Sequence, residues 1–473
     1  MNPGVQIDHT DRIGEIKVLL EAHDEEGLLR LLGTLHASDI GRALAGRAGL
    51  AGRAGLAGRA GLAGLDEEQA VEVFKRLSPE LASEVLLEID ERLRKSLISS
   101  ITSEELIEVV QELETDDATD IISELPVEDA KQVLEGIEEK DSIALQKLLV
   151  YPEDTAGGKM QAELVSVAES ATVEEGIEEV RRKGREMENL SSVFVVDAGG
   201  RLTGVVQLNK LIIAEPRSRM KEIAEADPVK VTADLDQEEV AKIFQKYDLI
   251  ALPVVDADGR LVGRITIDDV VDVIEEEIFE DFYKMAGLNL EERVLDAPAR
   301  SIWMRLPWLL INLATAFLAA SVVRVFQGTI EKLVILAVLM PIVAGMGGNA
   351  ATQTITVVVR GLALGELSLN NARWFIIKEM LVGLANGLMT GVVATVAAYL
   401  LGANILVGLL LFLGMTANLV IAGLSGAFIP IILKWFKVDP AISATVFVTT
   451  CTDIGGFLSF LGLATLFMRA GIL

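Results

Sequence analysis

Cysteine is almost missing from this sequence. A single Cys, at position 451 of 473 residues, has no partner for an intramolecular disulfide and excludes a cysteine-rich zinc site. Histidine is nearly as scarce. His9, His23 and His36 all fall in the first forty residues without HExxH spacing, the pattern of ordinary surface groups. The first residues also lack a basic stretch followed by an apolar core, so no secretory signal is expected and the polar part of the chain is expected to stay in the cytoplasm. Positive charge is short as well: 42 Lys+Arg face 70 Asp+Glu, a net of −28. The shortage is local, because residues 301–473 hold nine basic and five acidic side chains, leaving 33 against 65 before position 301. A surface of that sign excludes nucleic acid as a partner, draws counter-cations and opposes its own compaction until something neutralises it.

What is present falls into four regions. From residue 1 to about 150 the pattern is short amphipathic helices, such as Asp66–Leu77, Glu80–Ile89 and Glu104–Leu113, with Pro79 and Pro126 as starts or stops. Three copies of RAGLAG, Arg47–Gly52, Arg53–Gly58 and Arg59–Gly64, interrupt it. Excising them joins Gly46 cleanly to Leu65, so the tract reads as a local duplication without chemistry, and its glycines disfavour a stable helix. Residues 151–270 hold two related units: Val195–Leu211 (VVDAGGRLTGVVQLNKL) matches Val254–Val270 (VVDADGRLVGRITIDDV) at an offset of 59. Strand, Asp/Gly turn, strand and helix start resemble a tandem CBS pair of α+β units, a regulatory module that often binds adenine nucleotides. Thr266 and Asp269 match the ribose-binding Thr and Asp of such pairs, which makes ATP a candidate ligand; the first unit carries Gln207 and Lys210 instead.

A helix is expected from about Val270 to Met285. At 100° per residue Asp269, Asp272, Glu276 and Glu280 share one narrow arc, with Glu277 and Asp281 beside it and Val271, Ile274, Ile278 and Phe282 opposite. No basic residue interleaves this acidic face before Lys284, so it needs a counter-cation or is simply a soluble connector. Five apolar stretches follow, about Trp303–Val323, Leu333–Val359, Met380–Leu401, Ile405–Leu433 and Ile442–Phe467, each long enough to span a bilayer. With the N-terminus inside, Arg300, Arg305, Arg360, Arg373, Lys378, Lys434 and Lys437 flank the cytoplasmic side and Arg324, Lys332 and Arg469 the other. That fits the positive-inside rule and leaves the C-terminus outside.

Asp453 lies near the centre of the last stretch. A carboxylate there costs about 2.5–3.5 kcal/mol on insertion scales and ordinarily faces a bundle interior or a watery path. Its companions are uncharged: Thr449, Thr450, Thr452, Gly455 and Gly456. An acid without a cationic partner suggests a site for a mobile cation; a protonated carboxyl bonded to a neighbouring helix is the alternative. The second stretch carries Pro341-Ile-Val-Ala-Gly-Met-Gly-Gly348-Asn349-Ala-Ala-Thr-Gln353. Pro341 interrupts the helical ladder, the glycines permit close packing, and Asn349 and Gln353 at i and i+4 share a face of neutral oxygens. Neutral oxygens with one carboxylate suit a cation that keeps its water, as Mg²⁺ does. Small-residue packing accounts for the same motif structurally. Aspartyl chemistry needs paired carboxylates, and the other acids after position 301 (Glu331, Glu366, Glu379 and Asp439) fall at span ends or in loops, so the chain is not expected to be an enzyme.

The PxxxGxGGN…Q stretch, the TDxxG pattern around Asp453 and the order of regions resemble the MgtE family of magnesium channels along nearly the whole chain. The resemblance implies a multidomain membrane protein: an α-helical superhelical N-domain (1–150), tandem CBS domains (151–270), a connecting plug helix (271–300) and a five-helix transmembrane domain (301–473). It implies a homodimer in the cell (inner) membrane with a central pore in the bilayer, Asp453 as pore Mg²⁺ ligand, and Gly348, Asn349 and Gln353 lining the path. Regulatory Mg²⁺ ligands map onto Glu84, Asp116 and Asp120, then Glu238, the Gln245 carbonyl, Asp248, Asp269 and Asp272, and onto Glu277, Glu280 and Asp281 of the plug. The RAGLAG tract departs from the family near Glu84. The implied function is Mg²⁺ conduction, shut when cytosolic Mg²⁺ bridges these carboxylates. A transporter coupled to H⁺ or Na⁺ remains the rival, and a nucleotide sensor without transport fits the polar faces of the second and fifth spans less well.

Overall fold

The computed structural model describes residues 9–45, 65–185, 187, 189–289, 292, 297–368 and 371–472, in two compact units, Met1–Glu275 and Glu276–Leu473. The RAGLAG tract lies outside the described residues.

The first unit opens with ten helices: α1 (His9–Glu21), α2 (Glu25–Leu32), α3 (Ala37–Ala45), α4 (Glu67–Phe74), α5 (Pro79–Glu88), α6 (Glu91–Ile98), α7 (Ser103–Gln111), α8 (Thr115–Ser123), α9 (Val127–Gly136) and α10 (Glu139–Leu148). They are short because the sequence supplies a new start signal every dozen residues. Asp24, Asp66, Ser78, Asp90 and Thr102 each accept a first-turn backbone N–H, and Asp66/Gln69 and Thr102/Glu105 close reciprocal capping boxes. Helices this short are marginal alone. Their apolar faces meet in one core containing Val85, Leu86, Leu97 and Ile121, all 0% exposed. A part-buried Arg94–Glu124 pair at 2.6 Å crosses between α6 and the end of α8.

Next come β1 (Ser166–Ala168), α11 (Val173–Lys183), β2 (Ser192–Val196), β3 (Leu202–Gln207), α12 (Leu208–Ile213), α13 (Met220–Ile223), β4 (Glu225–Ala226), β5 (Val231–Thr232), α14 (Gln237–Tyr247), β6 (Ala251–Val255), β7 (Leu261–Thr266) and α15 (Ile267–Ala286). The strands form two sheets, β1-β2-β3-β4 and β5-β6-β7. In each, a parallel pair (β1/β2, β5/β6) is followed by an antiparallel hairpin (β2/β3, β6/β7). The 59-residue offset survives in detail. Register shifts occur at Val195/Val196 and Val254/Val255, and the turns place Gly200 and Gly259 at φ 79° and 80°, a region that favours glycine. These turns also clasp each other: Leu202 N donates to Gly259 O at 3.1 Å and Leu261 N to Gly200 O at 3.0 Å. Two copies of one hairpin thus supply each other's edge hydrogen bonds.

The helix after β7 runs as expected, but of its apolar stripe only Ile274 packs against the core. Val271, Ile278 and Phe282 are 51%, 63% and 64% exposed, whereas Val270 and Val273 are buried. The buried positions are those that continue the core of Phe244, Leu252, Val254 and Ile265.

The second unit contains α16 (Pro298–Val325), α17 (Gln327–Lys332), α18 (Ile335–Ala363), α19 (Ala372–Leu400), α20 (Ile405–Trp435) and α21 (Pro440–Arg469). Five of these are long and apolar enough to cross a membrane. Helix α20 has half of its most apolar window buried, against 6–33% for the other four; it packs on α18, α19 and α21. The second span runs through Pro341 as expected: α18 is continuous although the proline leaves one ladder bond unmade, and α16 and α20 likewise continue through Pro307 and Pro430. In a low-dielectric bundle neighbouring groups can take up the orphaned carbonyl, so proline bends rather than stops such helices. One expectation needs correction. The third span begins at Ala372 rather than Met380, which carries Lys378 and Glu379 into the helix. An apolar-run criterion cuts at charges that an ion pair can neutralise, here Lys378 Nζ to Glu379 Oε1 at 3.1 Å.

Because Phe244 (2% exposed) joins α14 to the β5-β6-β7 sheet, Phe244→Ala should cost about 3–5 kcal/mol. Hydrogen exchange on the full chain should show faster exchange confined to β5, β6, β7 and α14, with the core of α4–α8 unchanged.

Candidate functional site

A group of acids forms where α8 meets the segment leading into the CBS pair and the start of α15. The ETDDATD run places Glu114, Asp116 and Asp117 at the opening turn of α8, where N–H groups favour anions. Asp116 is 6% exposed and its Oδ1 has no hydrogen-bond partner among the described residues. Gln161, 1% exposed, lies against the group: its Nε2 donates to Glu114 Oε2 at 2.7 Å and to Asp269 Oδ2 at 3.5 Å, and its Oε1 has no partner. Thr115 ties the same turn down, donating to Glu163 Oε2 at 2.6 Å and accepting from Ala162 N at 2.8 Å. Arg264, 1% exposed, places its guanidinium 3.9 Å from Glu114.

One buried guanidinium is too little cation for this many carboxylates, and their proton affinities show it. Burial, then the charges of Asp269 and Asp117, pushes Asp116 well above the usual carboxylate range. Burial and Asp269 push Asp117 up to about 7. Asp269 is pushed to about 6 by burial, although the Thr266 hydroxyl donating to its Oδ2 at 2.6 Å opposes the shift. Asp120 is raised by burial against the pull of Lys159. Asp116, Asp120 and Asp269, expected from the sequence, are therefore drawn into one neighbourhood. Glu114, Asp117, Gln161 and Glu163 join them unpredicted. The acid run was a visible signal for the first two; nothing marked Gln161.

The other expected ligands are more dispersed. Glu84 is exposed on α5. Glu238 pairs with Lys242 at 2.9 Å in α14. Gln245 is exposed, and Asp248 caps that helix in the left-handed region at φ 51°. Asp272 is exposed on α15, while Glu277, Glu280 and Asp281 are half-buried, Glu280 paired with Lys284. Among the described residues no three His, Cys, Asp or Glu side chains converge as a metal cage.

In the second unit the end of α15 is docked on the span helices. Lys284 also reaches Asp439, in the α20–α21 connection, at 2.7 Å. Met285 packs with the cluster of Ala351, Ile355, Ala422 and Val448, and its carbonyl accepts from Thr445 at 2.9 Å. Gly287, at φ 70°, leaves room for the Trp308 indole, whose Nε1 lies 1.7 Å from where a Cβ would stand. Asp453 is half-buried on α21, with no hydrogen-bond or ion-pair partner among the described residues. Thr449 and Thr450 donate back to their own helix, to Thr445 O at 2.8 Å and Val446 O at 2.6 Å, which leaves oxygen lone pairs beside Asp453. On α18, which packs against α21, Asn349 and Gln353 are exposed and Gly348 is half-buried. Glu379, expected at a span end, is instead a second acid inside the bundle: 6% exposed and accepting from Thr354 of α18 at 3.2 Å.

Acidic helices, a CBS pair and five apolar spans, the last carrying a carboxylate without a partner among the described residues, define a multi-pass membrane protein with a large polar region ahead of its spans. The divalent cation transporter family MgtE matches residues 340–463, the MgtE intracellular N domain matches 60–154, and CBS domains match 157–216 and 220–276. A magnesium transporter MgtE of Thermus thermophilus is 37% identical over 71% of this chain and 74% of its own length; one of Bacillus subtilis is 32% identical over the same shares. A solved cytosolic domain of the Mg²⁺ channel MgtE in complex with ATP is 32% identical, covering 55% of this chain and 99% of that one, with a TM-score of 0.49. The chain belongs to the MgtE family.

The raised carboxyl pKa values give a signed pH dependence. A group whose folded pKa exceeds its unfolded one contributes stability that is complete below about pH 4 and lost as pH rises through the folded value, here about 6 for Asp269 and about 7 for Asp117. Without metal, the full chain in detergent should therefore lose stability on going from about pH 5 to about pH 8. Mg²⁺ bound at these oxygens would compete with protons, so excess Mg²⁺ should then raise Tm more at the higher pH; an ion at ~100 Kd contributes about 2.7 kcal/mol. Thermal scans at both values check this, and equal Mg²⁺ shifts at the two would remove the cluster as a binding site.

Proposed function

We propose that this chain is a Mg²⁺ channel, a homodimer in the cell (inner) membrane with residues 1–300 cytoplasmic and the C-terminus outside. The observation that carries the reading is Asp453: a half-buried carboxylate on α21, without a partner among the described residues and beside threonines whose protons are already committed. A hydrated divalent cation is the partner that such a carboxylate and the neutral oxygens of Asn349 and Gln353 suit, since Mg²⁺ keeps most of its water and takes one or two carboxylates.

In the regulatory region the donors present are oxygens, including two buried ones without partners among the described residues, Asp116 Oδ1 and Gln161 Oε1. They fit Mg²⁺, with Asp116 and Asp269 as the carboxylates that would hold it. A bound ion would supply charge neutralisation, drawing α8 toward the CBS pair. Repulsion among the same acids would separate them when the ion leaves. The end of α15, held by Lys284–Asp439 and by Met285, would pass that change to the spans. Shifting a gate from 1:99 to 99:1 takes about 5.5 kcal/mol of differential binding, within reach of several ions acting together. ATP is the ligand proposed for the CBS pair, at Thr266 and Asp269.

In liposomes, Asp453→Ala should abolish Mg²⁺ flux or cut it at least about tenfold while the protein folds and elutes as the wild type does, because it removes the carboxylate from the path. Wild-type flux should be insensitive to imposed H⁺ and Na⁺ gradients. Normal flux in the mutant would take Asp453 out of the mechanism.

Neutralising Asp269, Asp272, Glu277, Glu280 and Asp281 together should remove inhibition by cytosolic Mg²⁺ and leave selectivity among divalent cations intact. Directed ion bridges outweigh a repulsion that is partly screened at these separations. Single-channel recording at zero and high Mg²⁺ reads both quantities, and an unchanged inhibition curve would acquit this helix as sensor.

A further inference from the structure

Asn418 is the one polar side chain among the buried residues of α20, and it is 0% exposed. Its Nδ2 donates to Val343 O of α18 at 2.8 Å, and its Oδ1 has no partner among the described residues. Glycines on two other helices make room for it. A Cβ on Gly347 of α18 would stand 2.2 Å from Nδ2, and one on Gly456 of α21 would stand 2.7 Å from the same atom. Gly347 precedes Asn349 by two residues, and Gly456 follows Asp453 by three, about one helical turn along the same side.

An amide in an apolar bundle is costly unless its donors and acceptor are satisfied, and here the acceptor is not. Leucine has the same branched outline and carries no such cost, so stability does not explain asparagine at this position. What asparagine adds is a hydrogen bond that hooks α18 to α20 at a set height, from a side chain seated in notches of both path-bearing helices. We infer that Asn418 is a positioning residue, which holds Asn349 on α18 and Asp453 on α21 in the mutual placement that a hydrated divalent cation requires. This rests on the reading of Asp453 as a path ligand.

The test compares wild type, Asp453→Ala, Asn418→Leu, Gly347→Ala and the double variant Gly347→Ala/Asn418→Ala in liposomes, recording Mg²⁺ and Co²⁺ flux together with Tm. Asn418→Leu should fold with Tm unchanged or higher, lose about tenfold or more of its Mg²⁺ flux and change its Mg²⁺/Co²⁺ ratio, as loss of a supporting group around an ion site typically does. Gly347→Ala should lose flux because its methyl meets the amide, and adding Asn418→Ala should restore part of it. Asn418→Leu with wild-type flux and ratio overturns the inference. If Asn418→Leu does not fold, the pair decides, and losses that add without rescue overturn it. An inactive Asp453→Ala beside a normal Asn418→Leu defeats this inference alone; an active Asp453→Ala defeats the path reading and this inference with it.

Discussion

Mutual repulsion among carboxylates is the constraint around which the polar part of this chain is arranged. Sixty-five acids precede residue 301 against 33 bases, and the fold does not spread them evenly. It packs Glu114, Asp116 and Asp117 of the α8 turn against Asp269 and gives the group one buried guanidinium. Apolar burial in the α1–α10 core and the paired CBS hairpins holds these elements in place. The raised carboxyl pKa values reflect burial first and the neighbouring acids second. In the proposed gating, a divalent ion would shift an arrangement held by apolar packing and opposed by charge, because neutralisation would remove the opposing contribution without changing the packing.

The membrane unit meets the opposite difficulty. There the surroundings are apolar, charges are few, and each polar group must be accounted for. Glu379 is accounted for by Thr354 and Lys378, and Asn418 by Val343 on one side only. Asp453 has no such partner among the described residues. Glycines at 347, 383, 423 and 456 let the helices approach closely enough for these few polar contacts to set their mutual heights. Between the regulatory and membrane chemistry runs α15. Its acidic arc was plain in the sequence, and its last turn is held by Lys284, Met285 and the Gly287–Trp308 contact.

Much of this was legible beforehand because it depends on periodicity and on local start and stop signals. The 59-residue repeat foretold both hairpins down to their glycine turns, amphipathic spacing broken at Pro79 and Pro126 foretold the short helices, and hydropathy foretold five spans. Asp453 stood out because a carboxylate in an apolar run is conspicuous without any partner being known. Hydropathy misjudged what depends on a neighbour: it cut the third span at Lys378 and Glu379, whose charges pair.

Sequence alone determined the regions, their order, the sign of the charge and the residues whose chemistry is out of place in their surroundings. Each of those is a property of residues near one another in the chain. Tertiary structure alone decided that Asp116 meets Asp269 rather than staying apart, that Gln161 and Arg264 stand among the acids, that Glu379 is interior, and that Asn418 sits between Gly347 and Gly456. These pairings join residues from 25 positions apart to more than a hundred. No local pattern encodes them, because what selects them is how buried surfaces fit and how polar atoms are satisfied once the whole chain has packed.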